Sequence, residues 1–273
     1  MIKLKELLLK EDETDELKQI LKQDYPTFVA KLGDSIKDPK FLAAIKSLST
    51  EHPIKTSDIT PNVKDLKPTQ NEVVLSNSLA FPLTNVGSAE ECLKGGVTAP
   101  KNESIVTAGG GRYVIDGHHR WSQVFCMNPD AKIKAVDMTE MKNPIEALKA
   151  TQLGVAAKIG KIPSSPGGGI NLFTINEQTL KKYVIETITD DVIEIFKKYD
   201  KGSTKEEIAN YIWGNVKLLQ TNATPVANAP SRNVMPQTDD AKDFATTGVN
   251  VEKLPEITQR MKKVISVNKK GRW

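Results

Sequence analysis

The stretch Arg112-Tyr-Val-Ile-Asp-Gly-His-His-Arg-Trp121 decides the local fold, because its pattern changes halfway along. Tyr113 to Asp116 has the character of a β-strand, whereas apolar residues recur at helical spacing from Trp121 onward. The segment Gly117-His-His119 therefore falls where a strand passes into a helix.

A strand-to-helix junction of this composition favours a phosphate-binding site. The N–H groups of the first helical turn lack partners within the helix, and the helix dipole attracts an anion. Gly117 allows an oxyanion to approach the backbone, and Arg120 can add a planar, charge-assisted fork. The alternative is that Asp116 only caps the helix and that the other polar residues are solvated. The concentration of Asp, Gly, two His and Arg at one junction favours the phosphate site.

The flanking sequence predicts how the strand reaches this junction. Ser104–Thr107 and Arg112–Ile115 are strand-like and are separated by Ala108-Gly-Gly-Gly111, which predicts a hairpin with a glycine turn. Ala131–Met138 predicts the next strand. The expected unit is hairpin, helix and strand, with the polar junction at the end of a strand.

The junction resembles a known superfamily. Asp116-Gly-His-His-Arg120, followed by Trp121, is similar to the signature of ParB/sulfiredoxin-like domains, and Ile59 to Glu72 is similar to the segment that opens such domains. The resemblance implies an α+β fold, a small mixed-sheet domain flanked here by N-terminal and C-terminal helices. It also implies that Gly117 to Arg120 holds the phosphates of a nucleotide or nucleic acid.

Differences within the superfamily narrow the expected chemistry. Sulfiredoxins carry a cysteine where this chain has His118, so reduction of sulfinic acid, which needs a thiolate, is not expected. Chromosome-partition ParB proteins carry acidic and basic residues between the Gly and the Arg, followed by a helix-turn-helix region, and the sequence shows neither. The variant is more similar to ParB-like free serine kinases and to ParB-like nucleases, many of them phage-encoded.

In the kinase branch, the resemblance implies that an upstream glutamate acts as base, and Glu72 matches that position. A hydroxyl that attacks phosphorus needs a positioned carboxylate. Asp65 is the competing carboxylate, and a solvent-facing Glu72 is the alternative. Thr69 and Gln70 follow Pro68, which favours an extended backbone, and they are expected to orient a phosphate or substrate.

The predicted function is transfer of a phosphoryl group from ATP or ADP, with Mg²⁺, to a hydroxyl of a small molecule or nucleic acid. A ParB-like nuclease that cleaves DNA or RNA is one alternative. A non-catalytic nucleotide- or DNA-binding phage or structural module is the other. The predicted catalytic residues are Glu72, Asp116, His118 and His119; the predicted phosphate- or nucleotide-binding residues are Thr69, Gln70, Gly117, His118, His119 and Arg120.

No dedicated metal site is expected. His118 and His119 are adjacent and project in different directions, so they do not suit one shared ion. Cys92 and Cys126 lack the paired spacing of a structural zinc site. Magnesium is expected to arrive with nucleotide phosphates, with Asp116 or Glu72 as its protein partner.

Composition sets broader limits. A chain of 273 residues with 38% hydrophobic content is long enough for one sizeable core and a smaller helical module. Lys and Arg (38) nearly balance Asp and Glu (34), so the net charge of +4 is weak evidence for nucleic-acid binding. No apolar run approaches the length of a membrane span, and charges interrupt the first ten residues, so neither membrane insertion nor a secretion signal is expected. Two cysteines favour a reducing compartment, the host cytoplasm, or a virion if the protein is phage-encoded.

Hydrophobic periodicity and loop composition divide the chain into five predicted regions. The glycines at 167–169 lack the Walker pattern, so that segment is interpreted as a loop. The sequence does not indicate whether the chain forms oligomers. The regions are an N-terminal helical extension (1–50), a ParB/sulfiredoxin-like catalytic domain (51–160), a Gly/Pro loop and helical module (161–220), a linker (221–250), and a C-terminal helix with a basic tail (251–273).

Overall fold

A computed structural model of the chain describes residues 15–163 and 167–236, which form an α+β fold. The predicted fold class is thus confirmed, while the helix and basic tail predicted at 251–273 lie outside the described residues. The helices are α1 (15–21), α2 (Tyr25–Ser35), α3 (Pro39–Glu51), α4 (Leu75–Thr84), α5 (Val86–Leu93), α6 (His118–Met127), α7 (Pro144–Ile159), α8 (Glu177–Thr187), α9 (Asp190–Lys198) and α10 (Lys205–Asn222). The strands are β1 (Thr56–Ile59), β2 (Lys67–Pro68), β3 (Val97–Thr98), β4 (Ile105–Ala108), β5 (Tyr113–Asp116), β6 (Lys132–Ile133) and β7 (Ala135–Met138).

The chain divides into two compact units, whose described parts are 15–55 with 140–163 and 56–139 with 167–235. This division differs from the predicted boundaries, because residues 140–163 belong with the N-terminal helices and not with the sheet. None of the described helices is both long and apolar enough to cross a membrane.

The first unit is built from helices whose starts the sequence encodes. Asp24 and Asp38 each precede a helix that carries proline in its first turn, and their side chains accept hydrogen bonds from first-turn N–H groups. In α7 every residue from Ala147 to Ala157 is buried. Lys149 lies within that run, and its Nζ donates to the carbonyl of Leu21 at 2.7 Å, which offsets part of the cost of burying an ammonium group.

The second unit contains a five-stranded mixed sheet in the order β1-β7-β4-β5-β2. Strands β4 and β5 are antiparallel across the glycine turn, and β7 is parallel to β4, so the predicted unit of hairpin, helix and strand is confirmed. The single strand predicted at 131–138 is divided at Lys134: β6 pairs with β3, while β7 joins the main sheet. Lys134 forms backbone bonds in both directions, donating to Thr98 and accepting from Ile105.

Helix α6 follows β5 directly and is buried along most of its length. Trp121 is fully buried, packs edge-on against Phe125 with ring centroids 5.7 Å apart, and donates from Nε1 to the carbonyl of Val63 at 3.0 Å. The same hydrophobic core includes residues of α8, α9 and α10. The helices predicted as a separate module at 161–220 therefore share one core with the sheet.

Replacing Trp121 with Phe is expected to lower the free energy of unfolding by about 2–4 kcal/mol, because it leaves a gap in the core and removes the donor to the Val63 carbonyl. Urea unfolding followed by circular dichroism measures this loss. Trp213→Phe, at a half-exposed position, is the control and is expected to cost less than about 1 kcal/mol. Equal losses of unfolding free energy in the two variants would contradict the position of Trp121 in the centre of the hydrophobic core.

Candidate functional site

The strand-to-helix turn depends on Gly117, which has a φ of +84°. A Cβ at this position would lie 2.7 Å from Cγ2 of Ile105 and 3.0 Å from Nε of Arg120, so the turn excludes a side chain. No side chain among the described residues caps α6, whose first helical hydrogen bond runs from Trp121 N–H to the Gly117 carbonyl. The first-turn N–H groups are therefore available to an external acceptor.

His118 points into the protein and is only 5% exposed. Its Nε2 accepts a hydrogen bond from the backbone N–H of Thr69 at 3.1 Å, which places the ring proton on Nδ1 when the ring is neutral. Burial lowers the pKa of His118 to about 3, and the positive charges of His119 and Arg232 add to the effect. His118 thus joins α6 to the segment that carries Thr69.

His119 contacts Arg232, an arginine that lies far along the chain from the motif. Its Nε2 lies 2.9 Å from Nη1 of Arg232 and 3.3 Å from the backbone N–H of Val74. The same Nη1 also lies 3.4 Å from Nδ1. Since Arg232 and Val74 are both donors and the shorter arginine contact is to Nε2, we assign Nε2 as the acceptor and place the proton on Nδ1. Burial first, then Arg232 and Lys101, lower the pKa of His119 to about 4, so the ring is neutral at pH 7.

Arg120, predicted to fork onto a phosphate, is engaged with two carboxylates. Its Nη2 donates to Oδ2 of Asp116 at 3.1 Å, and its Nη1 donates to Oε2 of Glu103. The Arg120 side chain is 17% exposed, and these two ion pairs offset the cost of burying its charge. Asp116, predicted as catalytic, ends β5 and closes this ion-pair network around the Gly117 turn.

Glu72 lies on the segment between β2 and α4, beside the predicted glycine loop. Its Oε1 accepts a hydrogen bond from the Gly168 N–H at 3.2 Å. Asn171 fixes the two segments together, because its side chain accepts from Val73 N–H and donates to the carbonyl of Asn71, both at 3.1 Å. Val74, two residues beyond Glu72, donates to His119, so the Glu72 segment and the α6 junction meet.

Thr69 and Gln70, predicted to orient a phosphate, are buried, and their side chains bind the backbone. The hydroxyl of Thr69 donates to the Val114 carbonyl at 2.7 Å, and Nε2 of Gln70 donates to the carbonyl of Glu72. Asp65, the competing carboxylate, accepts from the side chain of Asn62 at 2.8 Å. The structure therefore joins the segment that carries Glu72 to His119 through Val74, and it uses Thr69 and Gln70 for buried contacts with the backbone.

Arg232 is the residue that the sequence reasoning missed, because it falls in the predicted linker at 221–250. The chain there returns to the Glu72 segment: Val226 N–H donates to the Pro68 carbonyl, and Asn71 N–H donates to the Pro230 carbonyl, both at 3.0 Å. The contact with His119 spans 113 positions. No local pattern encodes such a contact; the one available signal was a lone arginine in a stretch rich in proline and alanine.

Among residues 15–163 and 167–236 there is no group of three or more His, Cys, Asp or Glu side chains that could hold a metal ion. Cys92 and Cys126 are both buried as free thiols.

Comparison of the chain with protein-family models, curated proteins and solved structures finds no match. The likeness to ParB/sulfiredoxin-like domains accordingly rests on the Asp116–Arg120 motif and on the segment that leads to Glu72.

The pKa values of His118 and His119 predict a specific pH dependence of stability. Between about pH 6.5 and pH 4 the unfolded chain takes up protons at these histidines while the folded chain does not, so the free energy of unfolding falls as the pH falls. We expect a loss of about 1–2 kcal/mol per histidine between pH 7.5 and pH 5. Urea unfolding at the two pH values measures it. His118→Asn should remove about half of this dependence, because His119 still contributes, and His52→Asn should keep all of it. An unchanged slope in His118→Asn would refute the assignment.

Crowding at the junction is tested by comparing two glycines. Gly117→Ala meets both a left-handed backbone and close contacts, whereas Gly110→Ala meets the same kind of backbone (φ +71°) with no described atom within 4 Å of the added carbon. We expect Gly110→Ala to cost about 1–2 kcal/mol of unfolding free energy and Gly117→Ala clearly more. Thermal and urea unfolding report both. Similar losses would show that the Gly117 turn has room for a methyl group.

Proposed function

We propose that this chain is a ParB/sulfiredoxin-like phosphotransferase that moves a phosphoryl group from ATP or ADP, bound with Mg²⁺, to a hydroxyl of a small molecule or nucleic acid. The observation that supports this most is the position of His119. It is a neutral, oriented imidazole on an uncapped helix N-terminus, in contact with the segment that carries Glu72. Its proposed place of action is the host cytoplasm, or a virion if the protein is phage-encoded.

The phosphates of the nucleotide are proposed to bind at the first turn of α6. Backbone N–H groups at a helix N-terminus, together with the helix dipole, favour a phosphate. Gly117 exposes this backbone because it has no side chain. The Nδ1–H of His119 then donates to an oxygen of the transferred group and stabilises the charge that develops there.

Glu72 is proposed to act as the general base. Gly168 holds Oε1, which orients the carboxylate and leaves Oε2 to receive a proton. As the acceptor oxygen forms its bond to phosphorus, its proton passes to Glu72, and the bond to the leaving nucleotide phosphate breaks. The leaving group departs as the nucleotide with one phosphate fewer.

The remaining motif residues have positioning roles in this proposal. His118 fixes the Thr69 backbone, which sets the path of the chain toward Glu72. Arg120 pairs with Asp116 and Glu103 and braces the turn. Their charges are matched inside the protein, so they contribute geometry to the reaction.

Phosphorus NMR of the full chain with ATP, ADP and Mg²⁺, and with pooled hydroxyl acceptors or short DNA, tests the proposal. A new phosphoester signal is expected. Glu72→Gln should reduce its rate of formation by about 10²–10⁴-fold, because a general base contributes that much, and should leave nucleotide affinity within about threefold. Asp65→Asn, which alters the competing carboxylate, is the matched control and should retain the rate.

Other outcomes identify the alternatives. New terminal phosphates on the DNA would show that the chain is a nuclease, in which water attacks a phosphodiester, and not a kinase. Binding of the nucleotide without any new phosphorus signal would show that the chain is a binding module and not a kinase. Full activity in Glu72→Gln would remove Glu72 from the mechanism.

A further inference from the structure

Residues 223–235, here called the strap, follow α10 and lie against the segment that leads to Glu72. Two backbone hydrogen bonds attach the strap: Val226 donates to Pro68, and Pro230 accepts from Asn71. Pro230 and Met235 are buried at either side of Arg232. The strap is therefore attached by two hydrogen bonds just before Arg232, which limits where this side chain can reach.

The two arginines of the site differ in how their charge is matched. Arg120 donates to the carboxylates of Asp116 and Glu103. Arg232 forms no ion pair with any carboxylate of the described residues, and its guanidinium instead contacts the neutral ring of His119. A partly buried guanidinium without an anionic partner is costly, because desolvation is not compensated by an ion pair.

Donors also outnumber acceptors around His119. The Arg232 guanidinium and the Val74 N–H both point at Nε2, and the uncapped first turn of α6 adds further N–H groups. Lys101 contributes a second positive charge, since it helps to lower the pKa of His119. This combination of positive charge and several donors around one acceptor is the environment that a phosphate oxygen neutralises.

We propose that Arg232, delivered by the strap, is the cation that binds the phosphoryl group in this site, and that the motif residue Arg120 is a positioning residue. This inference rests on the proposed function and names the residue that recognises its anionic substrate. A planar guanidinium can donate two parallel N–H bonds to one phosphate, and its contact with His119 places it beside the other proposed donor.

Titration of the full chain with inorganic phosphate, followed by the ¹H–¹⁵N signals of the histidine rings, tests the inference at pH 7.5. Arg232→Gln is expected to weaken phosphate binding by about tenfold or more, the effect of losing a charge-assisted contact. Arg232→Lys should recover part of the affinity, because it keeps the charge and loses the planar fork.

Two matched variants separate this effect from a general loss of positive charge. The double variant Arg120→Gln/Glu103→Gln removes one charge of each sign beside Gly117 and should weaken phosphate binding less than Arg232→Gln does, because Arg120 acts only through the turn. Arg112→Gln removes a cation that stacks 5.6 Å from the Tyr113 ring and should likewise have little effect. A loss of affinity confined to the Arg120 variant would overturn the inference.

A second readout needs no ligand. Removing the charge of Arg232 should raise the pKa of His119, measured by its ring signals as pH is varied, since a neighbouring positive charge disfavours protonation. An unchanged pKa in folded Arg232→Gln would overturn the contact on which the inference rests.

The outcomes distinguish this inference from the proposed function. Phosphate binding that is equal in wild type and Arg232→Gln overturns the inference alone. Binding that depends on Arg232, without any phosphoryl transfer in the phosphorus NMR experiment, supports the inference and removes the proposed kinase. Absence of phosphate and nucleotide binding in the wild type overturns both.

Discussion

The hydrogen bond from the Thr69 backbone N–H to Nε2 of His118 is the contact on which the geometry of the site depends. It joins the start of α6 to the segment between β2 and α4, two pieces of chain separated by 49 positions. Burial keeps the imidazole neutral, and neutrality is what allows Nε2 to accept this bond. Once Thr69 is fixed, Glu72 and Val74 follow within five residues, and Val74 reaches His119. The buried side chain of His118 therefore connects the segment of the proposed base to the proposed anion site.

The two sides of the junction differ in whether their positive charges are paired with carboxylates. On one side, Arg120 is paired with two carboxylates, Asp116 and Glu103, so that cluster carries no excess positive charge and holds the Gly117 turn. On the other, Arg232 and Lys101 act on a neutral His119, and donors face one another without an anionic partner among the described residues. Ion pairing stabilises the first arrangement internally, whereas an incoming anion would stabilise the second. The asymmetry suggests that structure and binding are divided between the two arginines.

The sequence predicted the local parts of this fold well and the long-range parts poorly. Hairpin, glycine turn and helix α6 arise from periodicity and turn composition over about ten residues, where neighbours in sequence are neighbours in space. The two adjacent histidines looked equivalent, yet successive helical residues project in different directions, so one is buried and the other faces the site. The sharing of one core by α8–α10 and the sheet depends on tertiary packing, which periodicity does not encode. The role of Arg232 was not predicted, because composition alone identified its segment as a linker.

The order of the elements along the chain has a consequence for how the site comes into being. The turn at Gly117 and its ion pairs involve residues within a short stretch, but α6 packs in one core with α8, α9 and α10, so the junction is stabilised only when those later helices are present. The strap follows more than a hundred residues later, after α8, α9 and α10. The junction and Arg232 therefore both depend on parts of the chain that are synthesised after the Asp116–Arg120 motif. Since domains fold as units when their chain is complete, the junction would form only after the strap has been synthesised, and a chain that ends before Arg232 would lack the proposed anion-binding arginine.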